Sequence, residues 1–200
     1  MNRTLATILS YVLHPAVYPL LGVLAVIRFT PYFVPSNILL MSMGLVFVGT
    51  YVLPVCISYL LYRLTIIRSL EMKTAKDRRI PYMLGALCYY LVAMLIEKIQ
   101  LPREAYLYLL ACTMVIVVHL ISLLYFKPSA HLAGIGGFTG LLFALSLKYA
   151  VNLLPFLAMC FLLAGFLASA RLYLKAHDTR ELISGYFSGM LLVGVMVYFS

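Results

Sequence analysis

Charged residues are scarce in this chain, and acidic residues are fewer than basic ones. Of its 200 residues, 10% are charged and 64% are hydrophobic, whereas soluble domains carry roughly 25% charged residues. This composition excludes an ordinary soluble domain and indicates an integral membrane protein. The only acids are Glu71, Asp77, Glu97, Glu104, Asp178 and Glu181. They form no paired acidic metal motif, which a prenyl-lipid transferase would need.

Cysteine and metal-ligand patterns are also missing. The four cysteines, Cys56, Cys88, Cys112 and Cys160, have no Cys-x-x-Cys spacing and all lie in apolar runs. We interpret them as small apolar residues. No carboxylate or His/Cys cluster has metal-ligand spacing, so we expect neither a metal nor another cofactor. The net charge of +9 does not indicate nucleic-acid binding, because the cations cluster between apolar runs, where they can meet phospholipid headgroups or an anionic substrate.

Seven long uncharged runs make up most of the chain, and they do not alternate as barrel strands would. They are Leu5–Ile27, Ile38–Tyr62, Ile80–Ile96, Ala105–Phe126, Leu132–Leu147, Tyr149–Ala170 and Leu182–Ser200. A membrane helix needs about 20 apolar residues, and the third and fifth runs are short for this. We predict an all-α, polytopic bundle of six or seven transmembrane helices in a single domain, residues 1–200. The first run is expected to remain as a span, because no signal-peptidase site follows it.

Three polar segments interrupt the runs, at residues 63–79, 127–131 and 171–181. Two predicted crossings separate the first segment from the second, and two more separate the second from the third. Each pair of crossings returns the chain to the same face, so all three segments are expected at one face of the membrane. Most of the 15 Lys and Arg residues fall there, and the positive-inside rule makes that face cytoplasmic.

The third polar segment carries Arg171, His177 and Glu181 in the spacing Arg-x5-His-x3-Glu. His177 and Glu181 are four residues apart and would share a face on a helix. The carboxylate can then hold one ring nitrogen and leave the other free to attack phosphorus. Asp178 would point elsewhere. Arg171 offers a bidentate fork to phosphate oxygens.

The second polar segment ends in Pro128-Ser129-Ala130-His131. Ser129 is suited to cap the next helix, whose free N–H groups favour an anion. His131, in the first turn, can donate a proton to a leaving alkoxide. The glycines that follow, Gly134, Gly136 and Gly137, would let a neighbouring helix approach closely.

Two further histidines lie inside apolar runs. His14 precedes Pro15, and His119 sits in the fourth run. We interpret both as hydrogen-bonded interior residues and expect them to lie away from the polar cluster.

The polar segments resemble the three motifs of the type-2 phosphatidic acid phosphatase superfamily, which includes lipid phosphatases and vanadate haloperoxidases. Those motifs are Lys-x6-Arg-Pro, Pro-Ser-Gly-His and Ser-Arg-x5-His-x3-Asp. This chain has Ala130 for Gly in the second motif, and Ala170 for Ser and Glu181 for Asp in the third. Its first motif is looser, with Lys73 followed by Arg79-Ile80-Pro81. The resemblance covers roughly residues 73–185.

The resemblance implies a metal-independent phosphohydrolase acting on a lipid phosphate: phosphatidate, phosphatidylglycerophosphate, a polyprenyl diphosphate or lipid A. His177 would form a phosphohistidine, Glu181 would orient it and His131 would act as acid. The residues expected to bind phosphate are Arg171, Lys73, Arg79 and Ser129.

The resemblance also implies a location. In bacteria it places the protein in the inner membrane with an extracytoplasmic site, which is opposite to what the charge count indicates. One alternative remains open, a non-catalytic transporter or anion-lipid-binding protein with a degenerate site. Interrupted helices in two related halves would favour a transporter, but no internal repeat is visible in the sequence.

Overall fold

The computed structural model describes residues 2–70, 72 and 74–199, and this part of the chain is helical without strands, which confirms the predicted all-α class. Its α-helices are α1 (Arg3–Val12), α2 (Tyr18–Phe29), α3 (Ser36–Phe47), α4 (Leu53–Arg63), α5 (Ala75–Glu97), α6 (Arg103–Ser122), α7 (Ala130–Tyr149), α8 (Leu154–Tyr173) and α9 (Thr179–Tyr198). Within the described residues, seven segments are long and apolar enough to cross a membrane, with α1 joined to α2 and α3 joined to α4. The protein is therefore a polytopic membrane protein.

Two of the seven spans are interrupted, each next to a proline. Between α1 and α2, His14 is extended (φ −65°, ψ 138°) and a short 3₁₀ turn follows at Pro15–Val17, because a proline disfavours helical geometry in the residue before it. Between α3 and α4 the helix widens into a π-helical turn, Val48–Val52, just before Pro54. The nitrogen of Pro54 cannot donate to the carbonyl four residues earlier. The break at His14 brings the end of α1 into the polar cluster described below.

Helix α7 is the most buried of the seven spans, and small residues bring it very close to α9. A Cβ added at Gly136 would lie 2.2 Å from the carbonyl oxygen of Tyr186, and one added at Gly189 would lie 2.2 Å from that of Ala133. Only glycine allows two helix backbones to approach so closely. The close helix packing predicted for the start of α7 is confirmed.

Gly140→Ala should therefore destabilise the bundle. Its Cβ would lie 2.2 Å from the carbonyl oxygen of Met190, and overpacking of this kind typically costs about 1–3 kcal/mol. Gly165→Ala on α8 is the matched control, since nothing lies within 4 Å of its Cβ and alanine favours a helix by about 1 kcal/mol. Thermal unfolding in detergent should give a lower Tm for the first variant only. Equal melting temperatures would contradict the packing of α7 on α9.

Three connections meet at one end of the bundle. They are residues 64–70 with 72 and 74, residues 123–129, and residues 174–178. The Lys127 ammonium donates to the Ala176 carbonyl at 3.5 Å, and Arg78, in the first turn of α5, donates to the Pro128 carbonyl at 3.4 Å. The polar segments expected at a shared face are thus in direct contact.

Candidate active site

His177 is held by the beginning of α9. Asp178 caps this helix, and its carboxylate accepts a hydrogen bond from the Glu181 N–H at 2.8 Å. Glu181, at the third helical position, turns back to complete a capping box. Its carboxylate also accepts a hydrogen bond from His177 Nδ1 at 2.7 Å. Because an ionised carboxylate only accepts, Nδ1 carries the proton and Nε2 keeps its lone pair.

The expected contact between His177 and Glu181 is present, but its geometric origin differs from the prediction. His177 precedes α9, which begins at Thr179, so the two side chains do not meet across a helical turn. The contact depends instead on the capping box, in which the Glu181 side chain folds back over the helix start. Asp178, which was expected to point elsewhere, holds Glu181 in place. Its N–H donates to the Glu181 carboxylate at 3.3 Å, and its own carboxylate accepts from the Glu181 N–H.

Burial controls the charge of His177, whose side chain is 1% exposed. Burial lowers the pKa of His177 below its usual range, and the hydrogen bond to Glu181 opposes this effect. The positive charges of Arg78 and Arg171 lower the pKa further. The imidazole is therefore neutral at pH 7, which is the form that can act as a nucleophile.

Arg171 lies in the last turn of α8, and only part of its guanidinium is hydrogen-bonded. One terminal nitrogen donates to Ser10 Oγ at 3.5 Å. The Nε group is buried and has no hydrogen-bond partner in the described part of the chain. No described carboxylate forms an ion pair with this guanidinium. Removing a guanidinium from water without an anion is unfavourable, so this half-buried group is suited to bind one.

The second guanidinium of the site belongs to Arg78. Its Nε donates to the Met72 carbonyl at 2.9 Å, and one terminal nitrogen lies 3.4 Å from both the Tyr82 hydroxyl and the Pro128 carbonyl. Its charge acts on His177. Like Arg171, it forms no ion pair with a described carboxylate.

Arg78, rather than its neighbour Arg79, is the buried arginine at the start of α5. Arg79, which we expected to bind phosphate, is exposed. One turn later on the same face, Met83 is 56% exposed, whereas Arg78 is buried. The helical phase of α5 thus brings one arginine to the cluster and leaves the other outside it. Lys73, the other basic residue of that motif, lies outside the described residues.

Ser129 caps α7, as predicted. It is fully buried, and its Oγ accepts a hydrogen bond from the Leu132 N–H at 3.5 Å, while its own N–H donates to the Glu181 carbonyl at 2.9 Å. The hydroxyl thus serves the helix cap and links α7 to α9. Its role in binding phosphate stays a prediction.

His131, in the first turn of α7, faces the end of α1. Its Nε2 lies 3.2 Å from the Ser10 carbonyl oxygen. Because a carbonyl only accepts, Nε2 carries the proton, and Nδ1 of the neutral ring keeps a lone pair. His131 can therefore release a proton from Nδ1 once the ring is protonated there. The positive charge of Arg171 acts on this ring as well.

His14 and His119 do not lie away from the cluster, so this expectation was wrong. The ring of His14 packs edge-on against that of His131, with centroids 5.5 Å apart. His119 forms a hydrogen bond of 2.9 Å with Ser188 Oγ, which agrees with the expected interior bonding, yet the positive charge of Arg78 also acts on it. Neither residue belongs to a motif. Helix packing brings both of them to the cluster.

The fixed charges of the cluster are two buried or half-buried guanidiniums and one carboxylate, surrounded by four histidines. No group of three or more His, Cys, Asp or Glu side chains within residues 2–70, 72 and 74–199 is arranged to hold a metal ion. The excess positive charge and the forked guanidinium donors suit a small oxyanion such as phosphate.

Comparison of the chain with protein-family models, with curated proteins and with solved structures finds no match.

Proposed function

We propose that this chain is a membrane lipid phosphatase that hydrolyses a phosphomonoester or diphosphate headgroup through a phosphohistidine on His177. One observation carries the proposal. A buried, neutral histidine has its Nδ1 fixed by Glu181, and the charges of two guanidiniums that no described carboxylate neutralises act on it. The type-2 phosphatidic acid phosphatase superfamily uses residue types in the same order, and we propose membership of that family on this basis.

Phosphate binding is assigned to Arg78 and Arg171. Phosphate oxygens would accept hydrogen bonds from the Arg171 Nε, which has no protein partner among the described residues, and from the terminal nitrogens of both side chains. Charge-assisted hydrogen bonds of this kind are roughly twice as strong as neutral ones. The N-terminus of α7 adds backbone dipoles of the favourable sign. The acyl or prenyl chains of the substrate would remain in the bilayer.

In the first chemical step, the Nε2 lone pair of His177 attacks phosphorus. The new N–P bond forms as the bond between phosphorus and the lipid oxygen breaks. The leaving oxygen takes a proton from the His131 imidazolium, and Glu181 stabilises the positive charge that develops on His177. A bound phosphate favours the charged form of His131 before the step begins.

In the second step, water attacks the phosphohistidine. Neutral His131 takes a proton from this water while the N–P bond breaks, and inorganic phosphate and neutral His177 are released. His131 is thereby protonated again, ready for another substrate. The two guanidiniums hold the phosphoryl oxygens through both steps, which is electrostatic stabilisation of the transition state.

We place the protein in a bacterial inner membrane with the site at the extracytoplasmic face, in keeping with the family resemblance. The seven spans establish only that it is an integral membrane protein. On this view, the cations on the site face serve the anionic substrate, and their number is not a topological signal.

The test is phosphate release by purified protein in detergent from the four lipid phosphate classes named above. Release should persist in excess chelator and be inhibited by vanadate, which mimics pentacovalent phosphorus. Loss of activity in chelator, restored by a divalent cation, would contradict the mechanism. Binding of lipid phosphate without release would instead support the non-catalytic alternative.

A further inference from the structure

We propose that Ser10 and His14, at the end of α1, are positioning residues for Arg171 and His131. This inference rests on the proposed function. Ser10 and His131 are 121 residues apart in the chain, and neither Ser10 nor His14 belongs to any of the three motifs. The break in the first span at Pro15 is what brings them to the site.

Ser10 contacts both groups that it would position. It is 8% exposed, and its hydroxyl donates to the Ala6 carbonyl at 3.0 Å. With its proton used there, Oγ presents a lone pair to the Arg171 terminal nitrogen at 3.5 Å. Its main-chain carbonyl accepts the hydrogen bond from His131 Nε2. One residue thus orients the guanidinium and sets the tautomer of the imidazole.

The ring of His14 packs against the ring of His131. His14 Nδ1 accepts a hydrogen bond from the Ala16 N–H at 3.3 Å, which caps the 3₁₀ turn and fixes the ring. The two imidazole rings then meet edge-on, at an interplanar angle of 84°. A ring held in this way limits the rotation of His131, which must keep Nδ1 directed at the leaving oxygen.

Ser10 is the polar member of the two buried residues of α1. The buried residues of this helix are Ala6 and Ser10, whereas Leu5, Ile8 and Val12 are 48%, 52% and 64% exposed and would face lipid. In a bilayer the backbone hydrogen bonds of α1 keep it helical, but its position depends on its neighbours. It is held here by packing against α8, the helix that ends in Arg171.

Ser10→Ala tests the contact to Arg171. Loss of the acceptor should weaken vanadate binding and raise KM by roughly threefold to tenfold with little change in kcat, because hydrogen bonds to charged groups are stronger than neutral ones. Ser10→Thr restores the hydroxyl and should recover affinity. Thr7→Ala is the matched control, since the Thr7 hydroxyl donates only to Arg3 of its own helix, and it should leave both constants unchanged.

A pair of substitutions at His14 tests the contact to His131. His14→Asn keeps a good cap but removes the ring, and it should lower kcat about tenfold with KM unchanged, as expected for a group that aids proton transfer. His14→Phe keeps a ring and loses the cap, and its kcat should stay within about threefold of wild type. A purely structural role would reverse this order. In a His131→Ala background, His14→Asn should have no further effect on kcat.

The outcomes separate this inference from the proposed function. Wild-type protein that binds vanadate and releases phosphate, together with Ser10→Ala and His14→Asn variants of unchanged KM and kcat, would overturn the inference alone. Wild-type protein that neither binds vanadate nor releases phosphate would overturn both. Parallel losses in Thr7→Ala and Ser10→Ala would show that α1 acts only through folding, which also rejects the inference.

Discussion

His177→Ala is expected to abolish phosphate release from a lipid phosphate. Removing a covalent nucleophile typically lowers kcat by more than about 10⁴-fold, and no other described imidazole has one nitrogen fixed by a carboxylate and the other free. The measurement is release of inorganic phosphate in detergent, together with trapping of the acid-labile phosphohistidine from labelled substrate. The label should be present in wild type and absent in the variant.

Two controls make this result specific. His131→Ala should slow release by about 10²–10⁴-fold, as for loss of a general acid, and still allow the phosphohistidine to form from a substrate with a good leaving group. The melting temperature of His177→Ala should be measured alongside, because the residue is buried. Activity retained in folded His177→Ala protein would rule out the covalent mechanism.

Arg78→Gln is expected to lower kcat/KM by about 10²–10³-fold, the usual loss when one donor to the transition-state charge is removed. Arg79→Gln, the adjacent matched control, should leave activity within about twofold, because Arg79 is exposed and exposed charges contribute little. The assay is the same phosphate release, at several substrate concentrations. Equal effects of the two substitutions, or a larger loss at Arg79, would contradict the site.

The pH profile provides a second readout of Arg78. Burial lowers the pKa of His177, and the charge of Arg78 lowers it further. Attack needs the neutral imidazole, so the rate falls when acidification protonates it. Removing the Arg78 charge raises the pKa of His177 and moves the acid limb of kcat/KM to higher pH. A substitution that merely damages packing would lower the rate without this shift.

Much of the site could be predicted from local sequence. The apolar runs determine the helices, and the number of crossings between the polar segments places those segments on one face. Arg171, His177 and Glu181 lie within 11 residues of one another, so their encounter depends on one helix end and the start of the next. Even there the reason was only partly predicted, because the capping box at Asp178 rather than a shared helical face brings Glu181 to His177.

Helical phase could not be read from the first motif. Arg78 and Arg79 are chemically identical neighbours, and the sequence match favoured Arg79 because it lies closer to Pro81. Which one is buried depends on where Thr74 caps α5 and on how that helix packs against the connection at Pro128. Each residue advances a helix by about 100°, so adjacent side chains point in very different directions.

The sequence by itself determined that this is a helical membrane protein with its polar segments at one face, because apolar length and the order of crossings are local properties of the chain. Only the tertiary structure decided which side chains complete the cluster. Ser10, His14 and His119 enter it through helix packing and a proline break. At the other end of the bundle, Lys148 forms an ion pair of 2.8 Å with buried Glu104. Such contacts depend on how distant helices dock, which no local pattern specifies.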